Sequence, residues 1–278
     1  MAADDAHSLV YDSAPLTEAI DIMGMPQVRL RVAADAPFYQ WTVRLEDVAP
    51  DGKVSLVSGA AINPSQRFSR LAPAALVPGE PTTLATSIHF TTWRFQPGHR
   101  IRLAVANAQF PMIWPSPTPG TTHLLLGENT WLELPKVPVA NATDQACTLP
   151  PPEPSDVAPF GRELDKHNPA FNSVRNEQTG DSTFTTASDI TWVIRENKYQ
   201  SRESYRWSVN DATPANAQYH GERRNVFNIA GNEIDLATTA RIASDTGYFH
   251  VTFTKTLRQN GSLVREKTWT DHIPRRYQ

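Results

Sequence analysis

His89–Pro117 reads HFTTWRFQPGHRIRLAVANAQFPMIWPSP. Pro97-Gly98 marks a tight turn between two β-strands. Proline presets φ at the first central position, and glycine accepts the positive φ that a type II turn needs at the second. Beyond the turn, Arg100–Val105 alternates polar and apolar, so one face is wet and one is buried. Phe110, Met112, Ile113 and Trp114 then arrive in a stretch broken by Pro111, Pro115 and Pro117. Apolar side chains on a proline-stiffened loop need a partner surface: they are core plugs or half of an interface. With Trp93 on the strand before the turn, these four are the candidate interface or pocket-wall residues.

The flanking sequence carries the same β signals. Residues 1–25 read as an extended lead-in broken at Pro15 and at Met23-Gly24-Met25-Pro26. Gln27–Val32 alternates, with Val28, Leu30 and Val32 inward, and Trp41, Val43 and Leu45 continue the pattern. Asp51-Gly52 is a hairpin signal, with Val54–Val57 as the return strand. Residues 64–81 are a long proline-punctuated connection. Trp93 and Phe95 fall out of phase with Phe90, which predicts a β-bulge near Thr91-Thr92. Thr122–Leu126 and Trp131–Val137 supply the last strands. Seven or eight strands in about 135 residues, without a convincing helix, predict a β-sandwich over residues 1–139.

Prolines then crowd the chain, and residues 140–165 read as an extended linker, partly polyproline II, anchored by Val157 and Phe160. Cys147 lies here with no base or helix start nearby to activate it. Residues 166–278 are β again. Ile190/Trp192/Ile194, Tyr205/Trp207/Val209, Ile234/Leu236 and Phe249/Val251/Phe253 all alternate. Asn260-Gly261 is the strongest hairpin signal in the chain. Long strands joined by short turns predict an antiparallel meander, closed as a barrel or curled as an open sheet. The expected fold is therefore all-β in two domains.

The totals exclude several function classes. The chain has 278 residues, 26 basic and 29 acidic, for a net charge of −3. The two halves are alike: 10 basic and 12 acidic residues up to Val139, 16 and 17 after it. No basic run offers a nucleic-acid surface. One cysteine rules out an internal disulfide framework and Cys-based zinc sites, and suits a reducing compartment. The N-terminus lacks the charged and apolar regions of a signal peptide, and no apolar run of ~18 residues would span a membrane. The expectation is a cytoplasmic protein with no membrane and no nucleic-acid partner.

Catalytic and metal signals are equally sparse. There is no G-x-S-x-G and no phosphate-binding glycine loop. The eight histidines form neither H-x-H nor H-E-x-x-H. No catalytic residue, metal ligand or cofactor site is expected. His99 after the turn is a backbone-capping histidine or a functional one. Trp93 and Trp114 are packing residues or a carbohydrate-stacking platform. Asp245 beside Ser244 is a turn-stabilising cap or an acid–base group. Arg29, Arg31, Arg100 and Arg102 would share one exposed sheet face, solvated or anion-binding.

Three runs together resemble a known family. APLTEAIDIMGMPQVRLRVAADAP, VRLEDVAPDGKVSLVSGA and FQPGHRIRLAVANAQFPMIWPSP are similar to the C-terminal non-catalytic domain of X-Pro dipeptidyl-peptidase-like hydrolases, in the cocaine-esterase-like (CocE/NonD) branch. The order of elements matches, from residue 8 to about 139. The tail shows a weaker likeness to a further β region of some of these hydrolases, carried by Asp189–Trp192, Tyr205–Val209, Ser244-Asp245 and Glu266–Arg275. The resemblance implies a jelly-roll sandwich of the galactose-binding-like type. It also implies an α/β-hydrolase domain, in cis or as a separate chain, that carries a Ser-Asp-His triad and is absent from this sequence. No triad residue has a counterpart here. The implied role is an accessory one, packing on the catalytic domain and shaping its pocket, with a homo-oligomer as a further partner arrangement. A free-standing carbohydrate- or small-ligand-binding module is the alternative.

Overall fold

A computed structural model describes residues 2–138, 150–151, 162–194 and 196–277. The expected linker with Cys147, Val157 and Phe160 falls largely outside the described residues. The fold is all-β and antiparallel, apart from one helical turn at Ala2–Asp5 and two short 3₁₀ turns. The chain divides into two compact units, 1–145 with 277–278, and 146–276.

The first unit holds ten strands: β1 (Leu9–Asp12), β2 (Ile20–Gly24), β3 (Gln27–Ala34), β4 (Trp41–Val48), β5 (Val54–Ile62), β6 (Thr82–Ser87), β7 (Thr91–Phe95), β8 (Arg100–Ala106), β9 (Thr122–Leu125) and β10 (Trp131–Glu133). Pairing is nested. β4 pairs β5, β3 pairs β6, β2 pairs β7 and β1 pairs β8. One sheet runs β1-β8-β4-β5; another is built on β3, with β6 on one edge and β9 and β10 in tandem on the other. The Thr130 hydroxyl bridges that tandem. It donates to the Leu125 carbonyl at 2.7 Å and accepts from the Arg31 amide at 3.1 Å.

The core lies between the sheets. Val28, Leu30 and Val32 from β3 meet Trp41, Val43 and Leu45 from β4, and Leu84, Phe95, Leu103 and Val105 close it. The alternation of β3 therefore folds as read. β4 differs, because all eight of its residues are buried. Its second face, Arg44 and Glu46, is covered by the N-terminal turn through Asp5. Arg44 donates to Asp5 at 2.7 Å and to Glu46 at 2.8 Å, while Arg102 donates to Asp5 at 2.9 Å. Burial pushes the Glu46 carboxyl above its ordinary value.

Three expectations are corrected. The phase change before Trp93 is not a β-bulge: after β6 the chain crosses to a different sheet, where β7 pairs β2 in unbroken register. The Pro97-Gly98 turn forms, with Gly98 at φ 83° and the His99 amide donating to the Gln96 carbonyl at 3.2 Å. The strands it joins do not pair with each other, since β8 lies between β1 and β4. The four arginines do not share a face. Arg29 and Arg31 are on β3, Arg100 and Arg102 on β8 in another sheet, and Arg102 forks onto Asp12 at 2.6 and 2.8 Å.

The second unit is one seven-stranded sheet in sequence order: β11 (Arg162–Asn176), β12 (Asp181–Ile194), β13 (Asn197–Asn210), β14 (Gln218–Ile229), β15 (Asn232–Ser244), β16 (Tyr248–Gln259) and β17 (Ser262–Pro274). β11 begins inside the last residues of the expected linker. The sheet is open, with β11 and β17 as its edges, so the meander does not close as a barrel. Asn260 and Gly261, at φ 49° and 79°, form the expected tight hairpin turn. The register gathers Trp192, Tyr199, Tyr205, Trp207, Tyr219, Phe227, Phe253 and Trp269 on one face.

Candidate functional site: an apolar cleft and its loop

β8 organises the candidate site. On its Arg100 end, the signature residues of the sequence meet. Asp47 on β4 is buried and holds both neighbours: Oδ1 pairs with His99 Nδ1 at 2.7 Å, and Oδ2 accepts from Trp93 Nε1 at 3.0 Å. One carboxylate thus ties β4, β7 and the Pro-Gly turn together. The His99 ring is not a backbone cap: it pairs with the Asp47 carboxylate. Trp93 also packs on the core.

Along β8 runs an open cleft between the two sheets. Its larger part, about 410 Å³, is lined by Tyr11, Ile101, Leu103, Leu124, Trp131 and Leu134, among others. A second part, about 290 Å³, continues past Leu124 to Trp41, Val105 and Asn107. The lining of the larger part is mostly apolar, whereas His7, Ser8, Asn107 and Thr122 make the second part mixed; Leu126 and Trp131 on the rim of the larger part are exposed. The cleft exists because β9 and β10 are short and face β1, a four-residue edge strand, leaving the sandwich unsealed on this side.

Asn107 is also where the Phe110–Pro117 loop starts. The loop folds on itself, with the Ile113 amide donating to the Gln109 carbonyl at 2.9 Å and Phe110 edge-on to Trp114 at 5.8 Å. The space beneath it, about 20 Å³, holds no more than a water. Phe110, Ile113 and Trp114 are half-buried, and Met112 is 80% exposed. Thus four of the five candidate residues cluster at one end of β8, and Trp93 sits at the other. Five residues of β4 separate Thr42, under the loop, from Asp47, a distance of ~16 Å. Trp93 and Trp114 do not form a joint stacking platform.

No motif in the sequence marks the cleft. Its signals are the run His123-Leu-Leu-Leu126 and Trp131-Leu132-Glu133-Leu134, where leucines exceed what one inward face accepts. In the second unit, Asp245 is the expected turn cap, accepting from the Gly247 and Tyr248 amides at 2.6 and 2.8 Å. Its other oxygen pairs with His250 at 2.7 Å, and this hydrogen bond, with the two amides, lowers its carboxyl to about 2. Among the described residues no group of three His, Cys, Asp or Glu is placed to hold a metal. No helix among them is long and apolar enough to cross a membrane.

The architecture and the site define a β-sandwich module whose distinctive surface is an apolar cleft rather than a constellation of reactive groups. Residues 1–157 match the X-Pro dipeptidyl-peptidase C-terminal non-catalytic domain, and the chain belongs to that family. Among curated proteins it is similar to a putative serine esterase of Mycobacterium tuberculosis, 32% identical over 123 residues, covering 38% of this chain and 20% of that protein. It is also similar to a cocaine esterase of Rhodococcus, 30% identical over 103 residues, covering 37% and 18%. The chain thus spans about a fifth of the length of these relatives. Among solved structures, an α-amino acid ester hydrolase matches at 25% identity and TM-score 0.44, over 47% of this chain and 26% of that one. A CocE/NonD family hydrolase from Staphylococcus aureus matches at 13% identity and TM-score 0.41, over 48% and 31%.

Proposed function

We propose that this chain is the accessory portion of an α/β-hydrolase-type serine hydrolase acting on ester, acyl or X-Pro peptide bonds. It packs on the catalytic domain, in cis or as a separate chain, and shapes the substrate pocket. The observation that carries this reading is the apolar cleft beside β8, with the exposed Met112 on the loop that leaves the same strand. Exposed apolar clefts rimmed by polar residues mark interaction sites, and the family model that matches is a non-catalytic domain of X-Pro dipeptidyl-peptidase. Phe110, Met112, Ile113 and Trp114 form the rim that meets the catalytic domain. Trp93 serves from within, by fixing Asp47 and the turn.

The same reading takes residues 1–139 as a jelly roll, supported by the nested 1:8, 2:7, 3:6 and 4:5 pairing. It takes 140–165 as the connection and 166–278 as a separate β domain, working in a reducing cytoplasm that the lone cysteine tolerates.

The test has two arms. The isolated chain, given activated esters, X-Pro anilides and a fluorophosphonate probe, is expected to turn over none and take no label. Turnover with a labelled serine overturns the accessory role. Mixed with a family catalytic domain lacking its own C-terminal portion, the chain is expected to form a complex that Trp114→Asp and Leu124→Asp each weaken. A complex indifferent to both substitutions overturns the assigned surface.

A further inference from the structure

We propose that the C-terminal sheet is completed by a second copy of this chain, β17 pairing antiparallel with β17 about a two-fold axis through Trp269. β17 is the last strand of an open sheet, and all thirteen of its residues are exposed. An edge of this length presents an unpaired row of backbone donors and acceptors, the surface onto which another strand adds. The apolar strip beside it is also incomplete: Phe253, Trp269 and Ile273 remain 36%, 43% and 46% exposed.

The occupant is named by the strand's own charge pattern. Two sheets joined edge to edge by a two-fold axis keep their faces, so residues opposite each other share a face and the register must centre on a residue. Centred on Trp269, Lys267 faces the partner's Asp271 and Glu266 faces the partner's His272, each twice. Thr268 faces the partner's Thr270, and the two Trp269 rings meet. Opposite charges, threonine pairs and aromatic pairs are the cross-strand combinations that stabilise antiparallel strands. Neighbouring registers match less fully: centring on Thr268 still sets Arg265 against the partner's Asp271, but it leaves Lys267 without an acid. Centring on Lys267 sets that lysine against itself, centring on Thr268 sets it against Trp269, and centring on Thr270 sets Trp269 against Asp271.

Within one copy the strand leaves a charge unanswered. Lys267 lies directly opposite Lys255 in its own hairpin and stands over the Trp269 ring at 4.7 Å. Like charges in directly opposed positions destabilise a strand pair. In the paired register Asp271 of the second copy supplies the missing acid. The bulge at Val264 lies outside the nine paired residues, 265–273.

Sedimentation of the full chain across micromolar concentrations tests this. The expected result is a wild-type dimer, with Lys267→Asp and Asp271→Lys each monomeric and unchanged in far-UV circular dichroism. An equimolar mixture of the two variants is expected to dimerise again, because each heterodimer contact then faces Asp with Lys. A wild-type chain that stays monomeric overturns the pairing, as do single reversals that stay dimeric. Monomeric variants that the mixture fails to restore overturn the register.

Discussion

The two units use the same alternating strands and end in opposite states. In the first, seventeen residues form a buried apolar cluster between two sheets. In the second, the buried apolar residues among those described are Ala215 and Ala217. A sheet with one apolar face needs a second layer to bury it. The sandwich supplies that layer from its own chain, because β7 and β8 part at Pro97-Gly98 and enter different sheets. The meander keeps every neighbour in sequence order, so its own unit supplies no second layer for its aromatic face among the described residues. Its rings shield one another instead: Trp192 stacks on Tyr199 at 6.2 Å, Tyr205 on Tyr219 at 6.3 Å, and Phe253 tilts against Trp269 at 5.7 Å. Such aromatic pairs are worth about 0.5–1.5 kcal/mol each beyond burial.

Tryptophan removal should separate the units most sharply. Trp41→Ala, at 2% exposure in the sandwich core, is expected to cost about 3–5 kcal/mol by denaturant unfolding. Trp207→Ala on the half-buried sheet face should cost roughly 1–2 kcal/mol. Equal losses would break the distinction.

The buried charges of β4 give the next contrast. Arg44→Met leaves Asp5 and Glu46 without the guanidinium that bridges them, a loss of ~3 kcal/mol or more. Glu46→Gln should be nearly neutral, since burial already disfavours its charged form and glutamine still accepts from Arg44. Asp47→Ala, which releases both Trp93 and His99, should cost about 1–3 kcal/mol and change the tryptophan fluorescence.

The smallest effect lies in the sheet and is pH-dependent. The Asp245 carboxyl is lowered from 3.8 to about 2. A depressed folded value adds stability that is present above 3.8 and lost as pH falls through about 2. Asp245→Asn should therefore melt below wild type at neutral pH, with the gap closing between pH 3.8 and about 2. A gap unchanged by pH would remove His250 and the turn amides as its cause.

Local chemistry made the strands readable, and partner choice was not local. Val28, Leu30 and Val32 showed their inward face through period-two alternation, and Asn260-Gly261 showed its turn through the positive φ it demands. Phe90, Trp93 and Phe95 carry the same kind of pattern, yet their phase change came from a switch between sheets, which neighbours in sequence do not encode. Asp47, His99 and Trp93 are each conspicuous alone. Their shared carboxylate depends on contacts across about fifty residues, 46 and 52 positions apart. The cleft has no motif in the sequence for a related reason. It is formed by what β1, β9 and β10 leave uncovered, and no single stretch records a gap. Four of the interface candidates stand out in the sequence as apolar residues on a proline-stiffened loop, but the structure half-buries three of them and exposes Met112.

Hydrogen–deuterium exchange of the intact chain, alone and with a family α/β-hydrolase catalytic domain, tests the central claim most directly. The account predicts new protection along β8, β9 and β10 and the Phe110–Trp114 loop, with the Trp93–His99 end of the sandwich unchanged. Protection confined to the Trp93–His99 end, or none in the first unit while the complex forms, would contradict it.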